Sequence, residues 1–380
     1  MHIPFCKSKC YYCDFMSYCN EEINIKKYIE CMKKEIKYKS LQLSKYSIEH
    51  KKAYIVDTIY IGGGTPSYID ANYIEELINE SRRAFNVISN AEITIEVNPD
   101  SVLLEKLVKY KKSGINRISI GLQSTKNSIL KTIGRIHNFE QFKHSYNLIK
   151  SVEFNNINID LMLGLPNQSL DDLKEAIEEV INIQPTHISI YSLILENGTK
   201  LNDKIENGEL ELPNDILERK MYWYTKKTLE KYGFNHYEIS NFAQKEKESK
   251  HNLNCWNQNQ YLGIGLSAHS YFNSIRFSNI ENLNEYIKNI EAENFEKNQI
   301  IHEILNLEEK QKEFMILGLR KIKGVEIKEF KARFAKNPIF VFRNELCKLQ
   351  KENLVEIDGD YIKLTNKGLD LANIVWEEFV

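Results

Sequence analysis

Three cysteines packed between positions 6 and 13 are where chemistry is first expected in this 380-residue chain. The spacing Cys6-x3-Cys10-x2-Cys13 supplies three thiolates close enough to grip one 4Fe–4S cube, and it leaves the fourth iron without a protein ligand. An open iron can chelate a small molecule. Zinc is the alternative, but a structural zinc site takes four ligands, so Cys19, His2 or a remote residue would have to complete it. The other cysteines stand at 19, 31, 255 and 347. An odd total of seven with three of them clustered reads as metal ligation rather than a disulfide framework. Cys31 and Cys347 fall in helical patterns and read as small buried hydrophobes, and Cys19 as a spare thiol near the cluster.

A second set of unusual residues recurs at the ends of β-rich runs. Gly62-Gly63-Gly64-Thr65-Pro66 follows Tyr54–Ile61, Glu96-Val97-Asn98-Pro99 ends Glu92–Val97, Gln123-Ser124 follows Arg117–Leu122, and Gly164-Leu165-Pro166 follows Ile157–Leu163. His187–Leu193 is a further strand, and the stub Met1–Pro4 one before all of these. Helical patterns alternate with them at Ile74–Phe85, Leu103–Lys112, Phe139–Lys150 and Leu170–Ile183. Strand and helix alternating at this spacing is the mark of βαβ units and a parallel sheet. The fold class is therefore α/β, a partial (β/α)6 barrel. Parallel sheets carry their reactive loops at the carboxyl ends of the strands, which is where all these motifs fall. Found beside the cysteines, they favour the cluster over zinc.

Further along, Ile216–Tyr232 reads as helix, Asn235–Ser240 as a short strand and Lys245–Lys250 as an exposed loop, ahead of a dense polar and aromatic segment at His251–Tyr271. From Glu303 the order becomes three helices, a hairpin over Leu354–Leu364 turning at Asp358-Gly359, and a last helix, a small winged-helix-like pattern. The expected organisation is a barrel core over residues 1–200, an extension over 201–300 and a winged-helix-like α+β domain over 301–380.

Composition excludes several classes. With 51 Lys and Arg against 53 Asp and Glu the chain has no global basic field for nucleic acid, and Glu303–Val380 is itself charge-balanced. A winged helix here is expected to be structural or a lid. No apolar run approaches the ~20 residues of a spanning helix, and the first residues lack the apolar stretch of a signal peptide, so the expected location is cytoplasmic.

The cysteine spacing at the head of a (β/α) domain resembles the radical S-adenosylmethionine (SAM) superfamily. Within it, the chain resembles the oxygen-independent coproporphyrinogen III oxidases and, more closely, the HemW-type heme chaperones. The resemblance runs from His2-Ile3-Pro4-Phe5-Cys6 through Gly62–Pro66, Glu96–Asp100, Arg117–Ser124, Asp160–Pro166 and Tyr237–Ala243 to Gly263–His269. It implies that S-adenosylmethionine binds the open iron of a 4Fe–4S cluster held by Cys6, Cys10 and Cys13, and is cleaved by one electron to a deoxyadenosyl radical. Gly63 and Gly64 would then approach its amino acid part, Thr65 would offer a hydroxyl and Glu96 would bind its ribose. Tyr12, Gln123, Arg135 and Asp160 match further positions that contact S-adenosylmethionine, including a second molecule in the oxidases.

Two departures choose between the branches. The oxidases have a fourth cysteine one residue after the third, where this chain has Phe15 after Asp14. The segment His251-Asn252-Leu253-Asn254-Cys255-Trp256 resembles the His-Asn-x-x-Tyr-Trp signature associated with heme in the chaperones, with Cys255 in place of the Tyr. Imidazole is a common axial ligand of heme iron and an indole can pack on a macrocycle, so His251 and Trp256 are the candidate heme contacts. The resemblance thus implies a chaperone that binds heme and passes it to acceptor hemoproteins, with a reductant such as flavodoxin or ferredoxin as a further partner and room for a homodimer. The alternative is oxidative decarboxylation of coproporphyrinogen III. A zinc-stabilised binding module is the third reading.

Overall fold

The computed structural model describes residues 1–380, which divide into two compact units. The first comprises Met1–Lys227, Gly263–His269 and Ser278–Ile300, and the second Thr228–Leu262, Ser270–Phe277 and Ile301–Val380.

In the first unit six strands lie in chain order: β1 (His2–Ile3), β2 (Val56–Gly63), β3 (Val87–Val97), β4 (Arg117–Gln123), β5 (Ile157–Leu163) and β6 (His187–Ser192). All neighbouring pairs are parallel. The helices α1 (Glu22–His50), α2 (Ala71–Ala84), α3 (Leu104–Ser113), α4 (Asn127–Thr132), α5 (Phe139–Ser151) and α6 (Leu170–Asn182) alternate with them. This is the α/β partial barrel expected from the alternation, with each strand end leading into a loop on one side.

The strands show why the barrel holds a site. One parity is aliphatic and buried against the helices: Ile93, Ile95, Ile118, Ile120, Ile157, Ile159 and Leu161. The other parity is polar although equally buried, with Thr94, Arg117, Ser119, Asn158 and His187 all nearly inaccessible. A parallel strand covered on both faces ordinarily reads as continuous apolar sequence, so polar residues at every second position mark an interior that binds something.

Two boundaries differ from the sequence reading. Strand β3 starts at Val87 instead of Glu92, because a register irregularity between Val56 and Thr58 lets Val56 pair with Val87 ahead of the apolar core of the strand. The long helix α1 was not delimited by the pattern, for a physical reason. Its buried face carries Ile25, Tyr28, Ile29, Met32 and Ile36 at helical spacing, but also Glu35 and Lys39, an ion pair at 2.7 Å. Glu35 accepts further hydrogen bonds from the Tyr286 hydroxyl at 2.6 Å and the Gly265 backbone N–H at 2.8 Å. Fully partnered charges are compatible with burial, but they break a hydrophobic pattern.

In the second unit, antiparallel strands Val355–Asp358 and Tyr361–Leu364 form the hairpin, and Val325–Glu326 adds a third strand. Helices Leu307–Gly318, Ile327–Phe334 and Arg343–Lys351 pack on it around Phe314, Phe330, Phe342 and Phe379. This is the winged-helix-like order. The turn itself is Gly359-Asp360, one residue later than expected, since Asp358 pairs with Tyr361 and Gly359 takes a φ of 58°. Glycine at the first central position is what a tight two-residue turn of this hand requires. No helix is long and apolar enough to cross a membrane.

Candidate functional site

The cysteine loop is laced to the barrel at several points. Cys6 N–H donates to the Tyr18 carbonyl at 2.9 Å and Tyr18 N–H to the Pro4 carbonyl at 2.7 Å, closing the loop at its base. Tyr11 N–H donates to the Ile133 carbonyl at 3.0 Å, and Gly134, with φ of 75°, leaves its Cβ side to the Tyr11 ring. Strand β1 pairs His2 with Gly62 and Ile3 with Gly63, so the cysteines start directly over the end of β2.

The glycines at that strand end have a role visible only in the structure. A Cβ on Gly63 would lie 1.7 Å from the His2 ring, and one on Gly64 would meet the Cys6 sulfur, the Ile3 carbonyl and the Phe5 nitrogen at 3.0 Å. Their missing side chains make room for the segment that carries Cys6. The two residues also border the cleft.

Cys6, Cys10 and Cys13 open onto one cleft at the strand ends, enclosing about 770 Å³ of space that includes open solvent. All eight positions expected around S-adenosylmethionine border the same cleft, as does Phe15, which is 61% exposed. The Glu96 carboxylate accepts from the Tyr60 hydroxyl at 2.7 Å and the Gly63 N–H at 3.2 Å. Burial pushes its pKa up to about 7. Asp160 accepts from Asn158 at 2.7 Å and Ser119 at 3.2 Å, and burial again raises its pKa. Two desolvated carboxyls at the base of a cleft are suited to hydroxyl donors such as a ribose diol.

Gln123 ends β4 beyond a register irregularity, with φ of 68°, and its carbonyl oxygen accepts from Tyr191 at 3.3 Å. Arg135 is buried and places Nη2 2.8 Å from the Gly121 carbonyl and 3.0 Å from Asn98 Oδ1, and Nη1 3.6 Å from the Cys10 sulfur. Its Nε has no protein partner. Tyr12, whose hydroxyl is held neutral by burial, packs with Tyr191 on the apolar cluster Ile129, Ile133, Met162 and Leu165.

Burial raises the pKa of Cys6, and that of Cys13 to about 11. Buried thiols become ligands when a cation replaces their protons. The three thiols facing one open cleft, beside a buried guanidinium and hydroxyl donors, suit an iron–sulfur cluster with a free coordination position and an anionic small molecule. Sequence reasoning missed Asn98, Ser119 and Tyr191 in this cleft. Asn98 stood in the quoted Glu96-Val97-Asn98-Pro99 motif, and the other two share the inward parity of Gln123 and His187, a signal that was available.

His251 and Trp256 lie in the second unit, on the short helix α9 (Lys250–Trp256), which follows α7 (Lys200–Glu206) and α8 (Asp215–Lys231). Ser249 caps it by accepting from the Asn252 N–H at 3.3 Å. His251 and Cys255 are one turn apart and share a face. Burial pushes the Cys255 thiol up to about 11. The Arg320 guanidinium stands 4.3 Å from the Trp256 ring and 5.2 Å from Trp376, and the Trp256 indole N–H is buried without a partner.

Comparison with known proteins places this architecture. Residues 1–180 match the radical SAM superfamily, and residues 305–371 match the HemN C-terminal domain. The heme chaperone HemW of Lactococcus lactis is 35% identical over 379 residues, covering 100% of this chain and 96% of its own. The chain belongs to the HemW family. HemW of Bacillus subtilis is 34% identical over 381 residues, with 100% and 98% covered. Coproporphyrinogen III oxidase (HemN) of Escherichia coli, a radical SAM enzyme, superposes with a TM-score of 0.85 at 22% identity, covering 100% of this chain and 88% of its own. That similarity shows the fold alone. Radical SAM membership implies a 4Fe–4S cluster and S-adenosylmethionine as cofactors.

Proposed function

We propose that this HemW-family protein binds heme and delivers it to acceptor hemoproteins of the cytoplasm. The observation that carries the reading is identity to HemW heme chaperones along the whole chain, in both structural units. Phe15 where the oxidases have a fourth cysteine supports it. Cys6, Cys10 and Cys13 are the proposed cluster ligands, and the eight cleft positions the proposed S-adenosylmethionine contacts. His251 is the proposed heme ligand, and Trp256 a second proposed heme contact.

When bound, the cluster supplies one electron at an iron open to S-adenosylmethionine. The chain's own residues do the rest. Glu96 and Asp160 accept hydroxyl hydrogens, Thr65 and Arg135 fix the sulfurs, and Tyr12 and Tyr191 wall the apolar side against water. The cluster supports or regulates heme transfer, with a flavodoxin- or ferredoxin-like protein as its reductant.

Two anaerobic assays test this reading side by side. Heme-loaded protein is mixed with an apo-hemoprotein and heme transfer is followed by absorbance, while a second sample receives coproporphyrinogen III, S-adenosylmethionine and reductant. Heme transfer with no decarboxylation is expected. Turnover of coproporphyrinogen would overturn the proposal.

A further inference from the structure

A chain of hydrogen bonds crosses the wall of the cleft and joins two of the three cysteines. Arg135 donates from Nη1 to the Cys10 sulfur at 3.6 Å and from Nη2 to Asn98 Oδ1 at 3.0 Å. Asn98 donates from Nδ2 to the Thr65 hydroxyl at 2.9 Å, and that hydroxyl donates to the Cys6 sulfur at 3.4 Å.

The direction of every bond is fixed by chemistry. A guanidinium only donates, so it must face the amide oxygen of Asn98, and the amide nitrogen is then left for Thr65. Thr65 accepts that bond and has only its own hydrogen to give, which it gives to Cys6. Asn98 is held in place by its backbone N–H, donated to Ser67 Oγ at 3.1 Å, and Ser67 in turn bonds Ser101 at 2.6 Å. Asn98 therefore touches no sulfur yet orients the donors at both.

Hydrogen bonds and positive charge at cluster sulfurs favour the reduced, more negative cluster and raise its potential. Bonds aligned in one chain also polarise one another. We propose that Asn98 is a positioning residue that sets the reduction potential of the cluster, by aiming the Thr65 hydroxyl at Cys6 and holding Arg135 against Cys10. This rests on the three cysteines being the cluster ligands. It is independent of heme.

The test is a redox titration of anaerobically reconstituted protein without S-adenosylmethionine, followed by the paramagnetic signal of the reduced cluster. Asn98→Ala and Thr65→Val should both move the midpoint to more negative potential with iron and sulfide content unchanged. Thr65→Ser keeps the hydroxyl and should stay with the wild type. The double variant should shift by less than the two single shifts together, because both act on one chain. A fully loaded Asn98→Ala protein with the wild-type midpoint, or a more positive one, would overturn the proposal. So would loss of the cluster from a folded Asn98→Ala protein, since Asn98 would then hold the cluster instead of tuning it. A wild type that assembles no cluster would instead refute the ligand assignment.

Discussion

The cleft at the strand ends and the helix bearing His251 are built on opposite principles. In the cleft, residues from strands β2 to β6 and from the cysteine loop bond to one another: Glu96 to Tyr60, Asp160 to Asn158 and Ser119, Gln123 to Tyr191, and Arg135 across to Cys10. The helix α9 instead presents one half-buried seven-residue segment, fixed by the Ser249 cap and by Arg320 against Trp256. A site shared among many elements holds its geometry before any ligand arrives, which suits radical chemistry that must exclude water. The proposed heme contacts His251 and Trp256 both stand on that one short helix. The two are expected to fail separately under substitution.

The largest effect is expected from Cys10→Ser, which should abolish the cluster. Iron analysis should fall from about four per chain, as a cubane requires, to background, while heme still binds. Loss of heme binding in the same variant would show that the two regions are one site.

A smaller and two-sided effect is expected from Glu96→Gln. Its carboxyl is buried with a pKa raised from an ordinary 4.5 to about 7, so the folded chain holds a proton that the unfolded chain releases between these values. The carboxyl therefore weighs on stability least below pH 4.5, and its cost grows to its full size as the pH climbs through 7. The variant should match the wild type in thermal unfolding at pH 4 and exceed it at pH 8, by on the order of 1–2 kcal/mol after the lost acceptor is discounted. Binding of S-adenosylmethionine should weaken roughly tenfold with the lost acceptor. A wild-type affinity together with unchanged stability at pH 8 would remove Glu96 from the nucleotide site.

Most of the first region was legible in the sequence because its signals are short-range and repeated. Glu96 and Gln123 stand at strand ends, Gly63, Gly64 and Thr65 at or just past the end of β2, and the three cysteines are clustered within eight residues. What escaped depended on pairing between strands. Asn98 and Ser119 acquire roles only when Thr65, Arg135 and Asp160 are brought beside them. Likewise Gly63 is explained by His2, which approaches it only after β1 and β2 pair. In the second region the motif was legible, but the contact of Trp256 with Arg320, 64 positions later, was not. A cation stacked on an indole leaves no periodic trace in sequence.

The most direct test of the account is an anaerobic heme titration of cluster-loaded wild type and His251→Ala, followed in the heme absorption band, with iron and sulfide measured on the same samples. The wild type should bind heme, and the variant should bind it at least tenfold more weakly while keeping its full cluster. Equal heme affinity in the two would contradict the assignment of His251, and no heme binding by the wild type would contradict the account itself.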